Sequence, residues 1–136
     1  MDNRHSSKLL VYIDEISEDV KVDELSVKET QMRLPAIKHK WVGRLMRHKA
    51  IINSLYGKKI AYKKAAAEKM KESTMYNVSE AAFDKLVNKQ ESIVDIDHEI
   101  KEHQLIVELL EKTEKIFNSF TFDIKNLVEI MKMETM

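Results

Sequence analysis

The sequence contains no cysteine, which excludes disulfide frameworks and thiolate zinc sites and fits a reducing, intracellular setting. It holds a single proline, Pro35, and two glycines, Gly43 and Gly57. Tight turns must therefore be rare, and the abundant Lys, Glu, Ala, Leu, Ile and Met favour long helices. The longest unbroken apolar run, Leu9 to Ile13, falls far short of the roughly 20 residues that cross a bilayer, and it lacks the form of a signal-peptide core. A soluble, unexported protein without membrane partners is expected. No glycine-rich phosphate loop and no nucleophile paired with a base occurs, so the chain is not expected to be an enzyme, and it offers no catalytic residues and calls for no cofactor. Asp95 and His98 have the i,i+3 spacing used in carboxylate-bridged di-metal bundles, but such sites need a second motif and two further carboxylates. No metal site is expected.

What is present is charge sorted into blocks. The 23 basic and 23 acidic residues cancel overall. Along the chain, residues 1–32 carry four Lys/Arg against eight Asp/Glu, residues 33–71 twelve against one (Glu68), and residues 72–136 seven against fourteen. An ordinary solvated helix mixes signs to gain i,i+4 pairs and avoid repulsion. A block of one sign implies that something negative lies against it.

The length of 136 residues fits one domain, 1–136. An N-terminal arm, 1–22, contains the short apolar run and reads as a short helix or strand. Asp23 is a candidate cap for a short helix over 23–34, which should stop at Leu34 because the residue before a proline is biased away from helical geometry. Pro35 suits the first turn of a long basic helix over 35–71, whose apolar side carries Ile37, Trp41, Leu45, Ile52, Leu55 and Tyr56. After a loop through residues 72–78, Ser79 is a candidate N-cap for a second long helix, 79–132, acidic and apolar. Its residues Leu86, Ile93, Ile96, Ile100, Val107, Leu110 and Phe117 form a heptad-like seam, interrupted by Lys89, His103 and Glu114. The cluster Phe120-Thr121-Phe122 is a possible kink, near 118–122. The expected fold is mostly α, with long helices in a helical-hairpin, coiled-coil-like arrangement.

Two such helices side by side cannot cover everything apolar on the second one. Val94, Leu105, Ile106, Leu109, Ile116, Phe120 and Leu127 lie off its main seam, and copies of the same chain are the simplest cover for them. Assembly as a homo-oligomer is expected, with Trp41, Leu45, Ile93, Ile100, Val107, Leu110 and Phe117 forming core or subunit interface. The competing arrangement is a bundle closed within one chain by the N-terminal elements.

Spacing residues at 100° around the basic helix brings Lys40, Arg44, Arg47, Lys58 and Lys69 into an arc of about 60°, with Tyr62 in the same arc. The row spans roughly 44 Å at the helical rise. Lys38, Lys49, Lys59, Lys63, Lys64 and Lys71 broaden it. A line of cations suits a strand of phosphates, whose neutralisation releases condensed counterions, and an aromatic ring among them can stack on a base without reading sequence. The candidate DNA-binding residues are therefore Lys40, Arg44, Arg47, Lys58, Lys59, Tyr62, Lys63 and Lys69. The contrasting reading is a structural coiled-coil scaffold or assembly chaperone whose basic helix meets an acidic protein.

Several segments, taken in order, resemble the UvsY family of T-even-like phages. Leu34-Pro35 followed by His39-Lys40-Trp41 is similar to that family's proline-then-Lys-aromatic helix start. Leu55-Tyr56-Gly57-Lys58-Lys59 with Tyr62 is similar to its lysine- and tyrosine-rich helix, and Thr121-Phe122-Asp123-Ile124-Lys125-Asn126 to the tail motif of several marine members. Where family members commonly end the middle segment in Tyr-Tyr-Ser-Gly, this chain has Ala61-Tyr62-Lys63-Lys64. The resemblance implies a recombination mediator, serving DNA recombination and repair in the cytoplasm of the infected host cell. It also implies a closed homo-oligomeric ring that binds single-stranded DNA and loads a UvsX-type recombinase in place of the single-strand DNA-binding protein. The family's DNA-contacting basic positions correspond here to Lys58 and Lys59.

Overall fold

The computed structural model describes residues 4–23, 25–73 and 78–135. Four α-helices and no strand occur among them: α1 (Arg4–Asp19), α2 (Val27–Ser73), α3 (Glu80–Asn88) and α4 (Glu91–Glu134). Helices α2 and α4, of 47 and 44 residues, would each run for roughly 65–70 Å at the standard rise. They pack against each other as a long hairpin, α1 lies against α4, and α3 bridges the far end. The expected loop residues 74–77 lie outside the described residues.

Helix boundaries differ from the sequence expectations in three places. Asp23 does not cap a helix directly. Its carboxylate accepts from the backbone N–H groups of Leu25 and Ser26, a tight turn that delivers Val27, buried at the first position of α2. The expected stop at Leu34 is absent, because α2 continues through Pro35. Leu34 and Ile37 are both buried on the packed side, whereas Pro35 and Gln31 are exposed. The Gln31 carbonyl, deprived of its helical donor, therefore faces water and needs no protein partner. Packing on one side outweighs the local proline preference.

The second expected helix is divided, but at Lys89–Gln90 rather than at 118–122. Ser79 caps α3, its hydroxyl accepting from the N–H of Ala82 at 3.2 Å. Helix α4 then continues through Phe120-Thr121-Phe122. Thr121 donates its hydroxyl to the Phe117 carbonyl at 2.8 Å, which lets a β-branched residue sit mid-helix with its oxygen satisfied.

The packed stripe of α4 comprises Ile93, Ile96, Ile100, His103, Ile106, Leu110, Thr113, Phe117, Phe120 and Ile124. The spacing is 3 and 4 in alternation except at His103–Ile106, where a 3 replaces the expected 4. That step moves the seam by one residue. Ile106 is fully buried and Val107, expected on the seam, is only half-buried; Thr113 likewise replaces Glu114, its hydroxyl bonded to the Leu109 carbonyl at 2.8 Å.

The residues expected as core or subunit interface lie mostly inside the single chain. Trp41, Leu45, Leu110 and Phe117 join Tyr12 and Ile16 of α1 in one buried cluster, Ile100 joins Leu55 and Ile96 in a second, and Ile93 is fully buried. Helix α1 thus does part of the work assigned to neighbouring copies. Ile106 and Phe120 belong to the cluster it covers, and Leu109 and Leu127 pack against that cluster. Val94, Leu105 and Ile116 remain exposed. No helix is long and apolar enough to cross a membrane among the described residues.

Candidate nucleic-acid interface

Helix α2 presents its basic block in two settings. Up to Leu55 its inner side is buried against α4 and α1; beyond Leu55 no described residue of α2 is buried. The packed stripe becomes thin where the lysines are densest. That contrast decides which cations are available.

In the first setting two members of the predicted row are already occupied. Glu15 and Asp19, one turn apart on α1, meet Lys40 and Arg44, one turn apart on α2. The Lys40 ammonium donates to Asp19 Oδ2 at 2.6 Å and lies 3.7 Å from Glu15 Oε1. Arg44 grips both oxygens of Glu15, and its guanidinium lies 4.7 Å and 4.9 Å from the ring centroids of Trp41 and Tyr12. The Trp41 indole N–H donates to the same Asp19 oxygen at 2.8 Å. Bidentate geometry, ring stacking and partial burial make this a stronger pairing than an exposed salt bridge. Lys40 and Arg44, expected to face DNA, are paired with the carboxylates of α1. A wheel drawn for one helix cannot show what another helix brings to it.

In the second setting Lys59 turns toward α4 and pairs with Asp97 at 2.6 Å, so of the two family-matched lysines it is Lys58 that is exposed. Lys49, back in the first setting, lies 3.7 Å from Glu111. Arg47, Lys58, Lys63, Lys64 and Lys71 form no ion pair among the described residues; Lys63 is half-buried and the other four are exposed, as is Lys69. Tyr62 is 44% exposed, four residues from Lys58 and therefore on the same face. Tyr56, also exposed, accepts a hydrogen bond from Gln104 at 3.1 Å. Arg47, Lys58 and Lys69 leave a row about 33 Å long at the helical rise, beside which Lys64 and Lys71 extend the positive surface.

Two residues that sequence reasoning left out of the core fix α1, α2 and α4 in register. His48 Nδ1 and His103 Nδ1 lie 2.9 Å apart, and His48 Nε2 lies 3.2 Å from the Tyr12 hydroxyl. A hydrogen bond between two imidazole nitrogens requires one ring to donate and the other to accept. His48 was legible as an apolar-face position, three residues after Leu45 and seven before Leu55; His103 was read as an interruption. Burial pushes the Tyr12 pKa above its ordinary value, and Glu15 adds to the shift while Arg44 and Arg47 oppose it. No group of three or more His, Asp or Glu side chains able to hold a metal ion occurs among the described residues.

Comparison by sequence finds no matching family model and no matching curated protein. Comparison by structure is decisive for the fold. A crystal structure of the bacteriophage T4 recombination mediator protein UvsY, lattice type IV, superposes with a TM-score of 0.80, covering 93% of this chain and 98% of that one. The fold is UvsY-like. Lattice type II gives a TM-score of 0.77 with 92% and 96% coverage, and lattice type I gives 0.75 with 89% and 96%. Identity is 14% in each case, so the likeness lies in helix lengths and packing. The match covers 89–93% of this chain.

Proposed function

We propose that this chain is a recombination mediator: it binds single-stranded DNA through the exposed cations of α2 and promotes loading of a UvsX-type recombinase in place of the single-strand DNA-binding protein. The observation that carries the reading is the end-to-end match to the recombination mediator UvsY, joined to a row of largely exposed cations along α2. Arg47, Lys58, Lys63, Lys64 and Lys69 supply the phosphate contacts, with Tyr62 placed to stack on a base. Binding of this kind is sequence-tolerant and salt-sensitive. The action is a binding one with no bond made or broken, and it takes place in the cytoplasm of the infected host cell.

A homo-oligomeric ring supplies the remaining requirement. Leu105, Ile116, Phe122, Ile130 and Met133 are large apolar side chains left exposed along α4, and at 100° per residue they fall within about 120° of its circumference. Copies of the chain covering them would line up several modest basic sites, and multivalency then raises the apparent affinity for a strand that touches several subunits. The test is a filter-binding titration with labelled single strands at two salt concentrations, on the wild type and on Lys58→Ala/Lys64→Ala. Each lost phosphate contact should flatten the log–log salt slope by about 0.7, with sedimentation showing unchanged assembly size. A double variant with wild-type affinity and slope would remove these lysines from the interface, and a wild type that binds no strand at low salt would remove the function.

A further inference from the structure

The acidic helix α1 sits on the basic helix in a way its own helical physics does not favour. Glu15, Glu18 and Asp19 crowd the last turns of α1, where the helix dipole disfavours negative charge, and no basic residue lies in its final turn. Lys21, just beyond the helix, pairs with Glu18 at 2.8 Å. The other two carboxylates are compensated by α2 alone, through Lys40 and Arg44. These two cations lie on the same arc of α2 as Arg47, Lys58 and Lys69. A carboxylate pair one turn apart therefore occupies two sites of a row whose remaining members have the geometry for phosphates.

The occupied pair is not sealed off. The side chains of Lys40 and Arg44 keep 32% and 25% of their exposure, and Glu15 keeps 35%. A phosphate approaching along the row from Arg47 meets Arg44 three residues on and Lys40 four residues further. The carboxylates of α1 compete with it for the same N–H donors.

We propose that Glu15 and Asp19 act as an internal mimic of the nucleic-acid backbone, masking Lys40 and Arg44 and so limiting the length and strength of single-strand binding on α2. This rests on the DNA-binding reading above and adds its regulation. Masked, the row begins at Arg47; unmasked, it lengthens by about 10 Å at the helical rise. Any event that draws α1 away, whether high local strand density or a partner that takes up its carboxylates, converts a weak site into a longer one.

The experiment compares oligo-dT binding by the wild type, Glu15→Gln, Asp19→Asn, the double variant, and a control pair Asp123→Asn/Glu134→Gln that removes two exposed charges elsewhere. Asp19→Asn keeps an oxygen for the Trp41 indole, and emission from Trp41, the single tryptophan, together with far-ultraviolet circular dichroism, checks that α1 stays folded. Two added phosphate contacts should steepen the salt slope by about 1.4 in the double variant, which is roughly a sevenfold greater loss of affinity between 50 and 200 mM salt. Each single variant should show about half that change in slope. Adding Lys40→Ala and Arg44→Ala to the double variant should abolish the gain. If the double variant matches the control pair, or the gain survives loss of Lys40 and Arg44, masking is refuted while DNA binding stands. If neither the wild type nor any variant retains a strand, the DNA-binding reading itself falls and takes masking with it.

Discussion

Pro35 offers the sharpest test of how packing overrides local preference in α2. It is the ninth residue of a helix that begins at Val27, well past the first turn where proline is harmless. An interior proline is about 3 kcal/mol less favourable than alanine, through the lost N–H and the ring's clash with the carbonyl four residues earlier. Proline also stiffens the unfolded chain, and replacing it returns about 0.4–1 kcal/mol to that state. Because Pro35 and Gln31 are exposed, the new N–H of Pro35→Ala can bond the Gln31 carbonyl without disturbing Leu34 or Ile37. The net gain should be about 2 kcal/mol. With an unfolding entropy of roughly 2.1 cal/mol/K per residue and 136 residues, the melting temperature should rise by about 7 °C. Thermal and urea unfolding followed by circular dichroism at one fixed protein concentration measure it, since assembly makes stability concentration-dependent. A melting temperature that is unchanged or lower would show that a bend at Pro35 is required to dock α2 on α4, and that the reasoning from helix propensity is wrong.

Ile106→Ala should cost about 2–5 kcal/mol and Val107→Ala clearly less, because the seam passes through Ile106; equal losses in urea melts would restore the unbroken heptad. Gly43→Ala and Gly57→Ala should each stabilise by about 0.5–1 kcal/mol, as an added methyl meets nothing within 4 Å at either position; a loss of stability in either variant would place an unseen surface there, as a subunit contact would. Tyr12 should be the late-titrating tyrosine: its raised pKa means the unfolded chain releases that proton first. Stability contributed by Tyr12 is full below pH 10 and declines as pH rises through the folded-state value. Absorbance at 295 nm should show a delayed fraction that Tyr12→Phe removes, and a variant titrating like the wild type would refute the assignment.

The helical class was legible because it follows from local terms. The scarcity of glycine and proline, the 3–4 spacing of Ile93, Ile96 and Ile100, and the cap at Ser79 each act over a single turn or two. The charge block on α2 was legible for the same reason, as was the exposure of Lys58. Less of the candidate site could be read. The 100° wheel placed Lys40 and Arg44 beside Lys58 correctly, but exposure depends on what approaches from elsewhere. The matching spacing of Glu15 and Asp19, also one turn apart, was the available signal, and it acquires meaning only once α1 is known to lie on α2.

Sequence alone determined that this chain would form long helices with one strongly basic segment, since propensity, periodicity and charge are written residue by residue. Tertiary structure decided that α2 crosses Pro35, that the α4 seam steps at His103, and that α1 closes the core and takes two cations for itself. Each of those outcomes balances a local preference against burial or pairing contributed by residues far away in the chain, with separations of 21 to 55 residues in the bonds that tie Asp19 to Lys40 and His48 to His103. Interactions at such distances exist only after the helices have docked, so no window along the chain contains them.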